Sequence, residues 1–162
     1  MAFEAHRVRK TYLAIVRGEL DRDELEIDLP LEPARTGLHV IMNVAPQGGL
    51  SAHTHVRVHA RRAGHCLVEL FPRTGRQHQL RVHLSAIGHP IVGDKLYGPE
   101  REAPFLEYIE TGMTRALRDR LGHERQALHA HAVTFTHPAT QELTTVRSPL
   151  AEDLQRLWAA LD

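Results

Sequence analysis

The alternation of apolar and polar residues predicts strands near both ends of the chain and in its middle. Lys10–Arg17 is rich in β-forming residues and stops at Gly18. Leu25–Leu31 has leucine or isoleucine at every second position, with acids or proline between them, which is typical of a short edge strand. Two antiparallel strand pairs are predicted further on: Thr54–Ala60 with His65–Phe71, and Leu128–Thr136 with Glu142–Arg147.

Apolar residues spaced three or four positions apart predict helices between and after these strands. The predicted helices are Gln77–Ile87, Phe105–Leu121 with an interruption near Gly112, and a last helix capped by Ser148 with Pro149 in its first turn. The first helix places Leu80, Leu84 and Ile87 on one side, where they would anchor it on the sheet. Together these elements predict an α+β fold with a mostly antiparallel mixed sheet and flanking helices.

Length and composition are typical of a globular domain. The 162 residues fit one domain with a sizeable core, and 42% hydrophobic with 25% charged residues argue against disorder. No run approaches the roughly 18 apolar residues that a membrane-spanning helix needs, so we expect no membrane association. The single cysteine, Cys66, excludes an internal disulfide and fits a reducing compartment, which predicts a cytoplasmic protein. Its place within a strand indicates a buried structural thiol.

The formal net charge of zero conceals blocks of opposite sign. Residues 1–18 carry a balance of +3, and residues 19–35 carry seven acids against two arginines. Residues 53–98 carry six arginines and Lys95 against two acids, together with seven of the 13 histidines. The average charge of the chain argues against a polyanionic partner, but the basic blocks are compatible with one. Arginine suits such a partner because it holds phosphate or carboxylate at two points.

The densest polar stretch is residues 74–98, TGRQHQLRVHLSAIGHPIVGDKLYG. The predicted helix places Gln77 and Arg81 on one face, next to its apolar side. Arg81 would then lie at the margin between the core and a cleft, where a guanidinium can hold a buried carboxylate ionised and oriented. The alternative is a surface helix with a solvated arginine. The flanking glycines and the clustered donors favour a site.

Three segments follow one another in a recognisable order: KTYLAIVRGEL at 10–20, the stretch at 74–98, and LHAHAVTFTHPATQE at 128–142. They resemble the second motif, the third motif and the carboxy-terminal block of the RluA-type RNA pseudouridine synthases. The resemblance covers nearly the whole chain, and its most specific part is the stretch at 74–98. It implies a pseudouridine-synthase-like catalytic domain over residues 1–162.

The resemblance implies an RNA uridine isomerase that needs no cofactor and no metal, with ribosomal or transfer RNA as its partner. In such an enzyme the glycosidic bond breaks, the uracil turns, and it rejoins the ribose through carbon. Tyr12 matches the family's tyrosine, which stacks on the target base and serves in acid–base chemistry, and Arg81 matches the arginine that pairs with an essential Asp. Weaker candidates for contacts with uracil or the RNA backbone are Lys10, Arg76, Gln77, His78 and His83.

The family's first motif, HRLDxxTSG, carries the essential Asp and precedes the second motif, but only nine residues precede Lys10 here. Residues 19–23 have a sequence similar to part of this motif, but they follow Tyr12, so Asp21 is interpreted as a turn residue. Asp94 is expected to brace its loop. We therefore expect a domain truncated at its amino end and inactive as an isolated chain, in which Arg81 lacks its partner. An uncovered sheet edge would then lead to self-association or to binding of a missing amino-terminal half.

Two other classes of function remain open. A non-catalytic RNA-binding module would have an affinity that falls steeply with salt, and its phosphate contacts would be Arg57, Arg61, Arg62, Arg73, Arg76 and Lys95. A His-rich metal-binding β protein is the second alternative, since the pairs His53/His55 and His129/His131 each point to one side of a strand. Hydrogen-bonded strand histidines are the better interpretation, because no carboxylate or cysteine stands at a convincing ligand spacing. Residues 99–127 are interpreted as a spacer without an assigned role.

Overall fold

The computed structural model describes residues 8–35, 38 and 40–161, and it confirms the expected α+β fold. The strands are β1 Arg9–Arg17, β2 Glu24–Asp28, β3 Leu31–Pro33, β4 Met42–Val44, β5 His53–Arg62, β6 His65–Pro72, β7 Leu128–Thr136 and β8 Leu143–Arg147. The helices are α1 Gln79–Ala86, α2 Ala103–Thr111, α3 Arg115–Leu121 and α4 Glu152–Ala159.

The main sheet places the first strand of the chain at its centre. Six strands lie in the order β2-β5-β6-β1-β7-β8 with antiparallel pairing throughout, and β3 pairs with β4 in a separate small sheet. On β1, Tyr12 lies opposite Leu70 of β6 and Ala130 of β7. Because β1 is paired along both edges, its carboxy-terminal part, which includes Ile15, is fully buried.

Helix α1 is covered by two layers. Leu80 and Leu84 pack into the main core with sheet residues such as Val56 and Leu70, as their spacing predicted. Val82, on another side of the helix, belongs to a second cluster with residues of the small sheet and of the segment after the helix. The helix is therefore held between the main sheet and this second cluster.

Helix α1 begins two residues later than the sequence predicted. His78 has a φ of 54°, in the left-handed region, and a right-handed helix cannot continue through such a residue. Gln77 therefore lies in the preceding turn, and the prediction that Gln77 and Arg81 share a helical face is wrong. The turn is stabilised by the side chain of Gln79, whose Oε1 accepts the Arg76 backbone N–H at 3.0 Å.

Two segments that contain proline also differ from the prediction. The strand predicted over Leu25–Leu31 is divided at Pro30, so that β2 ends before it and β3 begins after it. Ser148 does not cap the last helix, whose N-cap is Ala151. Ser148 instead donates its backbone N–H to the His131 carbonyl at 2.7 Å, which extends the pairing of β7 with β8.

Simpler expectations agree with the structure. The spacer at 99–127 contains α2 and α3, which separate at Gly112 as predicted. Cys66 is fully buried, and its Sγ accepts the Leu20 backbone N–H at 3.3 Å, which confirms the structural thiol. None of the helices in the described part of the chain is long and apolar enough to cross a membrane.

Candidate active site

A pocket of about 340 Å³ opens between β1 and the amino-terminal end of α1. It is lined by Lys10, Tyr12, Pro72, Thr74, Gly75, Arg76, His78, Gln79, Leu80, Arg81, Gln126 and Leu128. Five of the seven predicted site residues lie in this lining, namely Lys10, Tyr12, Arg76, His78 and Arg81. The fold thus brings together three segments that are far apart in the sequence.

Tyr12 stands between two cavities. Lys10 and Tyr12 are two positions apart on β1, so their side chains project from the same face of the sheet. Opposite them, β7 carries an extra residue, His131, because Thr11 pairs with Ala132 while Tyr12 pairs with Ala130. Such a bulge bends a strand and changes the direction of its neighbours' side chains. Lys10 and Tyr12 also line an adjoining pocket of about 280 Å³, whose other walls come from the segments of β7 and β8.

Arg81 is fixed by a two-point ion pair with Asp94. Its Nε donates to Oδ2 at 2.7 Å and its Nη2 donates to Oδ1 at 2.8 Å. The Asp94 side chain is fully buried, whereas 13% of the Arg81 side chain is exposed. Arg81 therefore has a carboxylate partner in this chain, although Asp94 is not the essential Asp of the first motif that the resemblance implies. Asp94 occupies one edge of the guanidinium, and Nη1 has no hydrogen-bond partner among the residues that the structure describes.

Asp94 also braces the loop that follows α1, as the sequence predicted. Its Oδ1 accepts the backbone N–H groups of Leu96 at 2.9 Å and of Tyr97 at 3.1 Å. The tight path of this loop depends on Gly93, which has a φ of +76° and on which a Cβ would lie 2.1 Å from the Arg125 carbonyl oxygen. One buried carboxylate thus orients both the loop and Arg81.

Tyr97 connects the loop to the pocket wall. The Arg81 guanidinium lies over the Tyr97 ring, 4.8 Å from its centroid. The Tyr97 hydroxyl oxygen accepts the Met42 backbone N–H at 2.9 Å and lies 2.8 Å from Nδ1 of His78. Burial raises the pKa of Tyr97, and burial together with the nearby Arg81 charge lowers the pKa of His78. Both side chains are therefore uncharged near neutral pH.

Gln79 and Tyr97 were not singled out by the sequence, although both belong to the stretch at 74–98. The buried Gln79 accepts from the Thr74 hydroxyl at 2.8 Å and donates to the Thr54 hydroxyl at 3.0 Å, so it ties the turn before α1 to β5. The one sequence signal for Gln79 is its residue type, because an amide both donates and accepts hydrogen bonds and can therefore bridge two segments. Nothing in the local sequence identifies its partners.

His83 does not reach the pocket, which corrects its assignment as a substrate contact. Its side chain is fully buried, with Nδ1 3.0 Å from the Thr54 hydroxyl and Nε2 3.0 Å from the Leu29 carbonyl oxygen. Two residues along a helix turn it by about 200°, so His83 faces away from Arg81. Gln77 is also outside the pocket wall, and its amide donates to the Val40 carbonyl at 3.3 Å.

Positive charge gathers around Tyr12. Most arginines have carboxylate partners, as in the pairs Arg57–Glu69, Arg61–Asp23, Arg73–Glu26 and Arg120–Glu100. Arg76 donates its Nε to the Ser51 carbonyl at 3.0 Å, and neither Arg76 nor Arg147 forms an ion pair within residues 8–35, 38 and 40–161. Arg76 lines the larger pocket, Arg147 lines the adjoining one, and Lys10 lines both. The zero net charge of the chain therefore does not describe this surface.

The histidine pairs contact polar groups of the protein. His53 lies 3.0 Å from Asp28, His55 lies 3.2 Å from Glu26, and both His129 and His131 lie within hydrogen-bond distance of the Ser148 carbonyl oxygen. In the described residues no group of three or more His, Cys, Asp or Glu side chains is arranged to hold a metal ion. The described residues thus form no candidate metal centre in addition to the pocket.

Comparison with known proteins identifies relatives of this chain. The family profile described as RNA pseudouridylate synthase matches residues 1–86. A ribosomal large subunit pseudouridine synthase D from Xanthomonas campestris is 38% identical over 97% of this chain. An uncharacterized RNA pseudouridine synthase from Bacillus subtilis is 36% identical over 95% of it. The chain spans 45% of the length of each of these two bacterial proteins.

Solved structures agree with the sequence comparison. Human RNA pseudouridylate synthase domain containing 1 superposes with a TM-score of 0.68 at 30% identity, covering 98% of this chain and 67% of that one. Human RNA pseudouridylate synthase domain containing 4 superposes with a TM-score of 0.71 at 25% identity, covering 98% of this chain and 64% of that one. The central sheet and its helices are thus shared with both human domains.

Proposed function

This chain belongs to the RNA pseudouridylate synthase family, and we propose that its pocket holds the uridine of an RNA while that uridine is isomerised to pseudouridine. One observation carries the proposal. Tyr12 on β1 is far in the sequence from Arg76, His78 and Arg81 around the start of α1, and all four converge on a single pocket. An aromatic face beside fixed cations is what a base flipped out of its RNA requires.

Tyr12 supplies the stacking face. Its ring lies on the central strand, between the pocket and the adjoining cavity, so a base can lie against it while the flanking RNA extends along the surface. In the proposed reaction the Tyr12 hydroxyl also takes part in moving the proton that leaves carbon 5 of the uracil. Lys10 and Arg76, at the rim, neutralise phosphates of the bound strand.

Arg81 orients a carboxylate through the edge that Asp94 leaves open. Asp94 accepts from Nε and from one hydrogen of Nη2, so Nη1 and the second Nη2 hydrogen are left to donate to another carboxylate at two points. In the proposed complete site, that carboxylate is the one that attacks the ribose when the glycosidic bond breaks. Asp94 then acts as a positioning residue, because it aims Arg81 and does not itself contact the uridine.

The isolated chain is proposed to be inactive. The described lining of the larger pocket contains no Asp or Glu, and the buried Asp94 is fully engaged by Arg81 and by backbone N–H groups. Without a carboxylate at the ribose, the glycosidic bond has no nucleophile. We therefore expect no tritium release above background from RNA that carries uridine tritiated at carbon 5.

The assay is designed to separate chemistry from contamination. The chain is compared with its Arg81→Ala variant, purified in the same way, on transcripts of large-subunit ribosomal RNA and on transfer RNA. Turnover by the chain that disappears in Arg81→Ala would overturn the proposed inactivity and would place a nucleophile within these 162 residues. Equal background release from both proteins is the expected result.

A second candidate function is RNA binding without catalysis. It is favoured by the same lack of a carboxylate in the described lining, combined with the basic rim formed by Lys10, Arg76 and Arg147. The two functions share an RNA partner and the proposed cytoplasmic location. Both predict background tritium release from the isolated chain, so turnover that disappears in Arg81→Ala is the result that would exclude a binding module. A complete synthase supplied with the same RNA is the positive control.

A further inference from the structure

We propose that His78 donates a hydrogen bond from Nε2 to a carbonyl oxygen of the uracil ring, and that Tyr97 fixes the tautomer that makes this possible. The inference rests on the proposed function of the pocket as a uridine site. It assigns a specificity role to His78 and a positioning role to Tyr97.

The Tyr97 hydroxyl has one hydrogen to give. Its oxygen accepts the Met42 backbone N–H at 2.9 Å, and the other polar atom within reach is Nδ1 of His78 at 2.8 Å. Since the hydroxyl hydrogen has no other acceptor among the described residues, it is donated to Nδ1. A neutral imidazole that accepts at Nδ1 carries its hydrogen on Nε2.

The environment keeps both partners in these states. Burial and the adjacent Arg81 charge lower the pKa of His78, so the ring is neutral at physiological pH. Burial raises the pKa of Tyr97, so the phenol retains its hydrogen. The edge-on contact of the two rings, with centroids 5.5 Å apart, holds the imidazole in one orientation.

The contact of Nδ1 with Tyr97 leaves Nε2 of His78 available to a ligand in the pocket. His78 lines the cavity, and its Nε2 has no hydrogen-bond partner in the described part of the chain. Nε2 is not one of the fully buried atoms, so a ligand can reach it. The left-handed backbone at His78 turns the side chain out of the helix that begins after it. A single neutral donor beside an aromatic ring suits a base carbonyl, whereas a phosphate is better held by Arg76 at the rim.

The first experiment reads the tautomer directly. Nitrogen-15 NMR of the histidine rings, with His78 assigned by comparison with His78→Gln, is expected to show an unprotonated Nδ1 and a protonated Nε2. Tyr97→Phe removes the donor to Nδ1, so the two tautomers become mixed and the pKa of His78 changes. A hydrogen found on Nδ1 in the unmodified chain would overturn the inference, whatever the pocket binds.

The second experiment tests the contact with the base. Short oligouridines are compared with the same oligomers that contain 2-thiouridine or 4-thiouridine, because sulfur accepts hydrogen bonds more weakly than oxygen does. We expect one thio substitution to weaken binding about 3- to 10-fold, the loss of roughly one hydrogen bond. In His78→Ala the difference disappears, and in His78→Gln, whose amide still donates, part of it returns.

The outcomes distinguish this inference from the proposed function. The control His59→Ala removes an exposed histidine on β5, outside the pocket, and retains the full thio effect. Equal binding of all three oligomers by the unmodified chain overturns the contact of His78 and leaves the uridine pocket intact. No binding of any oligomer, at low salt, overturns the proposed function itself, while the NMR result still decides the tautomer.

Discussion

At the scale of single residues, Asp94 has the largest structural role in the site. One oxygen of its carboxylate accepts two backbone N–H groups and an Arg81 hydrogen, and the other accepts a second Arg81 hydrogen. Buried ion pairs of this kind add little when intact, because desolvation offsets their attraction. Removing one partner is costly, since the remaining charge stays in a poorly hydrated place.

The substitution Asp94→Asn is therefore expected to lower the free energy of unfolding by about 3 kcal/mol, near the lower end of the range for a broken buried pair because Arg81 is partly exposed. Urea denaturation followed by circular dichroism measures the change. Asp23→Asn is the control, because its pair with Arg61 is on the surface and should contribute less than about 1 kcal/mol. Similar losses in the two variants would contradict the proposed role of Asp94.

His83 should make the fold sensitive to acid. Burial lowers the pKa of His83, and its hydrogen bond with the Leu29 carbonyl opposes this shift without cancelling it. In the unfolded chain the same group has the ordinary pKa of about 6.5, so below that pH the unfolded state binds a proton that the folded state does not. Stability attributable to His83 is thus present above about pH 6.5 and is lost as the pH falls, by at most about 1.4 kcal/mol per pH unit.

The measurement compares the chain with His83→Gln in urea between pH 7.5 and pH 5.5. The variant lacks the titrating group, so its free energy of unfolding should fall less steeply with acid. His78 has a pKa lowered in the same direction and remains in both proteins, which keeps its contribution equal. Parallel pH profiles would show that His83 does not titrate differently in the two states.

The sequence predicted some of these residues and not their partners. Tyr12 and Arg81 lie in the pocket as the motifs indicated. The partner of Arg81 lies in a loop beyond the helix, and the partners of His83 lie on β5 and in the segment before β3. Local patterns record which residues are polar, but they do not record which distant atoms will satisfy a buried polar group.

At the scale of elements, the strands were easier to predict than their ends. The predicted segment Leu128–Thr136 coincides with β7, and the predicted strands at 54–60 and 65–71 lie within β5 and β6. The errors occur where one residue overrides the pattern: Pro30 divides a strand, and the left-handed His78 delays α1. The three-residue strands β3 and β4 were not predicted, because so short a segment shows no repeating pattern of apolar and polar residues.

The two edge strands of the main sheet, β2 and β8, differ in how well they are protected from pairing with another chain. On β2, Glu24, Glu26 and Asp28 alternate with apolar residues and lie opposite Arg57, His55 and His53, so this edge is charged. On β8, the exposed hydrophobic residues Leu143 and Val146 stand beside threonines. Natural sheets commonly protect an edge with charge, and an apolar edge favours pairing with another chain.

We therefore expect the chain to self-associate through β8, and Val146→Lys to reduce the association. Light scattering over a range of protein concentrations gives the mean mass of each protein. His59→Lys introduces a lysine elsewhere on the surface, so it controls for the added charge. A chain that remains monomeric throughout, or variants that behave alike, would contradict the role of this edge.

At the scale of the whole molecule, arginine pairing determines where the chain is positive. Acids pair with arginines such as Arg57, Arg61 and Arg120, whereas Arg76 and Arg147 line the pockets and form no ion pair among the described residues. The sequence showed blocks of opposite charge. It did not show that their members pair across strands, because pairing depends on the register of β2, β5 and β6.

RNA affinity should accordingly depend on salt through a few identifiable side chains. Each phosphate contact on a single strand contributes about 0.7 to the slope of log affinity against log salt. Arg76→Ala and Arg147→Ala should each reduce the slope by about that amount. Arg22→Ala, which removes an exposed arginine in the turn before β2, should not change it. Fluorescence anisotropy with an oligouridine measures the slopes, and equal slopes for all three variants would exclude a specific phosphate path.

Because β1 pairs with β7 as well as with β6, Tyr12 obtains all its neighbours only when segments far apart in the sequence meet. During synthesis the β5–β6 hairpin can form from adjacent residues, whereas β7 leaves the ribosome later than β1, β5 and β6. Until then one side of β1 is an open edge, with Lys10 and Tyr12 on it. The pocket is therefore completed only after β7 has been made, and a nascent chain exposes Tyr12 to misassembly before that point.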